Sequence, residues 1–261
     1  MAFGMEVIML IDYLCIYTAI GLNNGTKITP CVLFLLFQDG TMGVNLAKVM
    51  VYLGIILILS EIPFIDETTP YLMTRSKRDA WWRGECLYIW TATFLYMVFL
   101  TVVSILIVLP TVTWNELWGS TIASILKNSS VPIPVEVVMV FYPSATLGMT
   151  FITGWVSMAV LGHIAYAVSL STNKRILGLA VMVFFVLLDP IVKWIEIGDK
   201  RWIFRLSPIS WSSIPNWKMV NSQAPMEVPY IFGAYAVIII ACMIVIALAC
   251  KKKQIDVVAL Q

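Results

Sequence analysis

The chain has 261 residues, 60% of them hydrophobic and 12% charged, against about 45 to 50% apolar and about a quarter charged in an ordinary soluble domain. Its seventeen basic and fifteen acidic residues nearly cancel to a formal +2, so the concentrated basic face that phosphate binding needs is missing and nucleic acid is excluded as a partner. Six membrane spans of about 20 residues would leave only loops and tails, with no room for a second folded domain.

Taken in chain order, apolar runs at 2–22, 42–60, 87–110, 145–170, 176–194 and 229–250 each suit one crossing. This predicts an all-α integral membrane protein whose residues 1–261 form a single transmembrane domain. The first run carries Glu6 and Asp12 but no Lys or Arg, so it reads as a retained helix and not as a signal peptide. The run 31–37 is too short to cross. Lys48, close to the outer end of the second span, is expected to snorkel to the interface. Pro143 interrupts a longer apolar stretch and sets the fourth span to begin near 145. The five cysteines are spread widely and read as small buried hydrophobes.

Between the second and third spans lies the most structured polar segment, 61–85. Thr69 suits an N-cap and Pro70 a first helical position, so a short helix is expected there, lying along the membrane with Trp81 and Trp82 at headgroup depth. Arg75, Lys77, Arg78 and Arg83 in this segment, Lys174 and Arg175 after span four, and Lys251 to Lys253 in the tail fall on one side by parity. These nine basic residues against six on the other side make that side cytoplasmic, with both termini there. The external loop before the last span holds Trp194, Trp202, Trp211 and Trp217, and a loop so apolar is expected to rest on or re-enter the bilayer. Two N-x-S/T sequons, at Asn24 and Asn128, fall in external loops and matter only in a glycosylating cell.

The chemistry that is missing narrows the function. No Gly-Lys dipeptide occurs, so a phosphate-cradling G-x-x-x-x-G-K-[ST] loop is absent and the chain is not expected to hydrolyse ATP itself. A single histidine, His163, excludes H-E-x-x-H zinc chemistry. Ionisable residues within spans are costly and are functional candidates by default. They are Asp12 in the middle of span one, His163 in the inner part of span four, and Asp189 in the outer half of span five. Asp189 precedes Pro190, which is expected to break the helix, and stands at i, i+4 from Lys193, a candidate ion-pair partner.

Two short motifs carry a resemblance. Met73-Thr74-Arg75-Ser76-Lys77-Arg78-Asp79-Ala80-Trp81-Trp82-Arg83-Gly84, placed between spans two and three, resembles the cytoplasmic segment of ABC-2 type transporter permeases. Leu206-Ser207-Pro208-Ile209-Ser210-Trp211, placed before the last span, is similar to that family's L-S-P-x-x-W signal. The resemblance implies a non-catalytic permease subunit in a bacterial plasma membrane, exporting a hydrophobic or amphipathic substrate such as a peptide or lipid. A separate cytoplasmic ATPase would hold the ATP and Mg, and a second permease chain would complete the transporter. It also implies a coupling helix between helices 2 and 3, with Arg75, Lys77, Arg78, Trp81, Trp82 and Arg83 facing the ATPase. A re-entrant external loop between helices 5 and 6 would place Pro208 and Trp211 with Asp12, His163, Asp189 and Pro190 along the substrate path or gate. Two departures stand out: no basic elbow helix opens the chain, and Glu85 follows Gly84 where a lysine is common. The alternative reading is an ion-coupled secondary transporter using Asp12, Asp189 and His163, for which no internal repeat is evident.

Overall fold

The computed structural model describes residues 2–37, 46–64, 78–114, 117–128, 133–194, 201–220, 222, 224 and 226–252. The described chain is helical and has no β-strand, only two isolated bridges. In order, its α-helices are α1 (Ala2–Asn24), α2 (Phe34–Phe37), α3 (Leu46–Leu59), α4 (Arg78–Val108), α5 (Gly119–Asn128), α6 (Val135–Val140), α7 (Pro143–Thr172), α8 (Arg175–Trp194) and α9 (Val228–Lys252). Among the described residues, three helical stretches are long and apolar enough to cross a membrane: Arg78–Thr111, Pro143–Thr172 and Val228–Lys251. A membrane protein needs such helices, because only helices and closed barrels satisfy every backbone group without water.

Helix α7 is the hub. It packs against α2, α3, α4, α8 and α9, and 67% of its apolar window is buried, against 22% for α9. Its composition explains this position. Gly154, Ser157, Ala159, Gly162, Ala165 and Ser169 let neighbouring backbones come close, as small residues do where helices meet in lipid. Larger apolar side chains on α4 and α9, such as Leu95 and Val237, instead point outward. Hydroxyls within the helices are satisfied by the carbonyl one turn back, as Thr153 Oγ1 donates to Met149 O at 2.8 Å and Ser104 Oγ to Leu100 O at 2.7 Å.

Contacts between helix ends sort them into two groups. At one end Ile28 N donates to Thr111 O and Thr121 N to Lys27 O, both at 2.9 Å, joining the end of α1 to the end of α4 and the start of α5. At the other end Arg78 Nη1 donates to Cys250 O at 3.3 Å, and Trp81 sits edge-on to Tyr166 at 6.4 Å, joining the start of α4 to the ends of α7 and α9.

Several expectations are corrected here. Helix α4 begins at Arg78 instead of near 87, so Trp81 and Trp82 lie on the long helix itself. The helix start expected at Thr69 and Pro70 lies outside the described residues. Pro190 does not end α8, which runs on to Trp194: the proline frees the carbonyl of Val186, but neighbouring turns hold the helix. The short run 31–37 packs inside as α2, with all four helical residues buried. Cys15 is exposed on the outer surface of α1, whereas Cys86 and Cys250 are buried, and all five cysteines are free.

Asn173 adopts a left-handed conformation (φ 54°) that closes α7 and turns the chain directly into α8. The α7–α8 hairpin is then tight enough that a Cβ at Gly178 would stand 2.5 Å from Ala165 O and collide with Ser169 Oγ. Gly178→Ala is therefore expected to cost about 1 to 3 kcal/mol through overpacking, measured as a lower unfolding temperature in detergent micelles. An unchanged transition would mean that the two helices separate there without penalty.

Candidate functional site

The segment after α8 is apolar yet rich in serine and proline, a composition that cannot form a long helix. It folds as three short 3₁₀ pieces, Arg201–Leu206, Ser210–Ser212 and Ile214–Asn216. Indole donors tie the pieces together: Trp211 Nε1 donates to Phe204 O and Trp217 Nε1 to Trp211 O, both at 3.1 Å, and Asn216 Nδ2 donates to Ser210 O at 3.2 Å. Trp211 lies edge-on to Tyr235 at 5.1 Å and to Tyr230 at 5.9 Å on α9. Ser207 through Ser213 are all buried. This loop therefore enters the helix bundle.

A buried ion pair holds it. Lys48 Nζ lies 3.1 Å from Asp189 Oδ2, and the two side chains are only 1% and 2% exposed. Lys48 Nζ also donates to Ser213 Oγ at 2.8 Å, Ser210 Oγ donates to Asp189 Oδ1 at 2.6 Å, and Ser213 Oγ passes its own proton to Phe37 O at 2.8 Å. Each charged end thus meets a serine of the turn, and α2, α3, α8 and the turn meet at one point.

A second layer of hydroxyls lies beside the first. Tyr52 Oη stands 2.9 Å from both Ser157 Oγ and Ser212 Oγ, while Ser157 Oγ and Tyr235 Oη donate to Pro208 O at 3.2 and 2.9 Å. Proline supplies a carbonyl with no N–H to satisfy, and two hydroxyls from α7 and α9 converge on it.

The Ser213–Lys48 contact superficially resembles a nucleophile with an amine base, but its proton directions oppose that use. The lysine donates to the serine and to Asp189 beside it, and the serine proton is committed to a carbonyl. This arrangement is suited to holding segments together.

The path and gate candidates fall at three places. Asp189, Pro190, Pro208 and Trp211 come together at or beside the Lys48–Asp189–serine cluster, which forms a latch on the turn. His163 is fully buried elsewhere on α7: Nδ1 lies 2.7 Å from Ala159 O, the ring is 5.7 Å from that of Trp90, and Nε2 has no hydrogen-bond partner among the described residues. Asp12 is exposed on the outer surface of α1 and turns away from the bundle. Arg75 and Lys77 lie outside the described residues. Trp82 turns inward at 9% exposure, with Nε1 donating to Asp79 at 3.3 Å and the Arg83 guanidinium 5.5 Å above its ring. Trp81 is half-buried, while Arg78 and Arg83 are exposed.

One charge assignment changes. Lys48 does not snorkel, because the first turn of α3 faces α8 and the turn, where a carboxylate and a hydroxyl replace water. Asp189 meets Lys48 across the bundle; the pairing expected with Lys193 falls on a side chain outside the described set. A lone lysine in one apolar run and a lone aspartate in the outer half of another were a readable signal of this pairing, since each is costly without the other. The serine acceptors had no such signal. Outside the bundle, the Lys218 ammonium hydrogen-bonded to Glu227 at 2.7 Å holds that carboxyl below its usual range.

Removing one partner of a buried pair strands the other charge, at a cost of about 3 to 5 kcal/mol. Lys48→Met and Asp189→Leu are each expected to lower stability by that order, whereas the double variant should recover much of the loss. Additive losses in chemical denaturation would show that the two charges are not coupled. Compared with known proteins, the chain matches no family model, no curated protein and no solved structure.

Proposed function

We propose that the chain is the permease subunit of an ABC-2 type transporter. It crosses the membrane six times with both termini in the cytoplasm, and it exports a hydrophobic or amphipathic substrate such as a peptide or lipid. A separate ATPase binds the ATP and Mg and drives the cycle, and a second permease chain completes the transporter. One observation carries this reading: the turn 207–213, which holds most of the L-S-P-x-x-W motif, is buried inside the bundle and latched to Asp189 through Ser210 and to Lys48 through Ser213. A turn held this way suits a gate over a path, because it is inserted among helices without crossing.

The grouping of helix ends supports the six-crossing topology. Lys27 and Lys218 fall on the proposed outer side, and Arg78, Arg83, Lys174, Arg175 and Lys251 on the inner. With Trp82 packed inward, the described part of the surface offered to the ATPase is the exposed Arg78 and Arg83 backed by the two tryptophans, and Arg75 and Lys77 precede it in the chain. An ion-coupled carrier built on Asp12, Asp189 and His163 has less support, because the three residues do not converge and Asp189 is already neutralised by Lys48.

A tagged chain purified from its native membrane is expected to bring with it a protein that hydrolyses ATP, and vesicles holding the complex should show vanadate-sensitive transport. Absence of both would end the proposal. Within such a complex, Arg78→Glu combined with Arg83→Glu should leave insertion intact and weaken ATPase association by about tenfold or more, equivalent to about 1.4 kcal/mol. Normal association would remove the coupling surface from this end of α4.

A further inference from the structure

The residue that departs from the permease pattern, Glu85, has a defined partner. Its side chain is 5% exposed, and Oε1 accepts from Phe64 N at 3.2 Å. From another direction Arg175 Nη2 donates to Pro63 O at 3.0 Å. Pro63 O and Phe64 N belong to one peptide group, so its N–H end meets a carboxylate from α4 and its C=O end a guanidinium from α8. Both are charge-assisted bonds, the stronger class of hydrogen bond. Phe64 adds an edge-on contact with Tyr88 of α4, with ring centroids 4.8 Å apart. The turn that ends α3 is therefore gripped from two helices at the point where the chain enters segment 65–77.

Arg175 and Asp189 stand near the two ends of α8, fourteen positions apart. That is close to four helical turns, so the two residues share roughly one face, and the separation along the axis is about 21 Å. Between Gly178 and Asp189 the helix contains neither glycine nor proline, and Pro190 comes only after the latch residue. The stretch joining the peptide clamp to the latch is thus an uninterrupted helix, seated on α7 through Gly178.

We propose that Glu85 and Arg175 are positioning residues that clamp the Pro63–Phe64 peptide, and that through α8 this clamp sets the geometry of the Lys48–Asp189 latch. The direction of the signal, from an ATPase at the clamp end to a gate at the latch end, rests on the permease reading; the mechanical link does not. A displacement at 63–64 reaches Arg175, moves α8 along its axis and changes the register of Asp189 against Lys48 and Ser210. Such coupling requires a contiguous element acted on at both ends, and α8 meets that requirement.

Hydrogen exchange measured by mass spectrometry on the full chain in lipid nanodiscs tests the link without any ATPase. Arg175→Ala should speed exchange at 61–64 and also in the turn 204–217, the latter by about 2- to 30-fold, the range expected for coupling through contiguous side chains. Arg175→Lys retains a donor for Pro63 O and should keep the turn within about twofold of the parent. Glu85→Gln should give a smaller rise at both ends, and Ile176→Ala, at an exposed neighbouring position, should give none. Faster exchange confined to 61–64 and the start of α8 would overturn the proposal, as would an equal rise at the turn in Ile176→Ala. If Arg175→Ala does not insert, Arg175→Lys and Glu85→Gln decide by the same two readouts. In a complex with its ATPase, Arg175→Ala should also leave hydrolysis running while transport falls; failure of that result with the exchange coupling intact would count against the permease reading and not against the clamp.

Discussion

The buried Lys48–Asp189 pair is the constraint on which the part of the bundle around the serine turn depends. Neither charge can enter an apolar interior alone, so the pair forms only if the first turn of α3 and the outer half of α8 are already opposed. Each charge also bonds a serine, Asp189 to Ser210 and Lys48 to Ser213, which brings in the turn, and Ser213 passes the requirement to Phe37 O, which brings in α2. Two apolar loops that would otherwise lack a defined place are ordered by one ionic contact. A pair of this kind adds little net stability over a well-packed apolar pair, and what it supplies here is a unique arrangement of four segments.

Helix α7 makes that arrangement possible. A helix lined with bulky side chains would hold its neighbours about 10 Å away, too far for Tyr52, Ser157 and Pro208 to share one polar layer. The glycines, alanines and serines of α7 reduce that spacing, and the hydroxyls they bring supply the polar partners. The least apolar of the three long helices is consequently the most buried, an inversion of the rule for soluble proteins that follows when the surroundings are apolar.

Much of the helical framework was legible in the sequence, because runs of about 20 apolar residues have few alternative structures. Boundaries were less so. Trp81-Trp82-Arg83-Gly84-Glu85 has the composition of an interface, yet nothing in it stops a helix, and α4 continues through it with Trp82 and Glu85 turned inward. Pro190 signals a break but removes only one hydrogen bond, so α8 continues. At the site, Asp189, Pro208 and Trp211 were visible as an intramembrane charge and a motif. The need of Lys48 and Asp189 for partners was readable too, but no local spacing joins them, because a partner 141 positions away is set by how helices pack. Asp12 was marked by the same cost argument as Asp189 but lies on the outer surface of α1, since a charge in an apolar run reveals a need for a partner and not the direction in which it is met.

The relative strengths of the bonds in the latch indicate how a gate built from it would open. Separating Lys48 from Asp189 leaves two buried charges exposed to an apolar interior, at a cost of about 3 to 5 kcal/mol. Releasing Ser210 or Ser213 breaks a hydrogen bond to a charged group, about 1.5 to 3 kcal/mol each; a released Ser210 hydroxyl is free to donate to a carbonyl, while Ser213 keeps its own bond to Phe37 O. Tyr52, equidistant from Ser157 and Ser212, can keep the first bond while giving up the second. The path of least cost therefore keeps the ion pair closed and lets the serine turn come away from it, with the hydroxyl layer as the plane of separation and α3 and α8 still joined behind it. A small axial shift of α8 acts on this plane first, because a hydrogen bond to one carboxylate oxygen tolerates less change in angle than the attraction between the two charges.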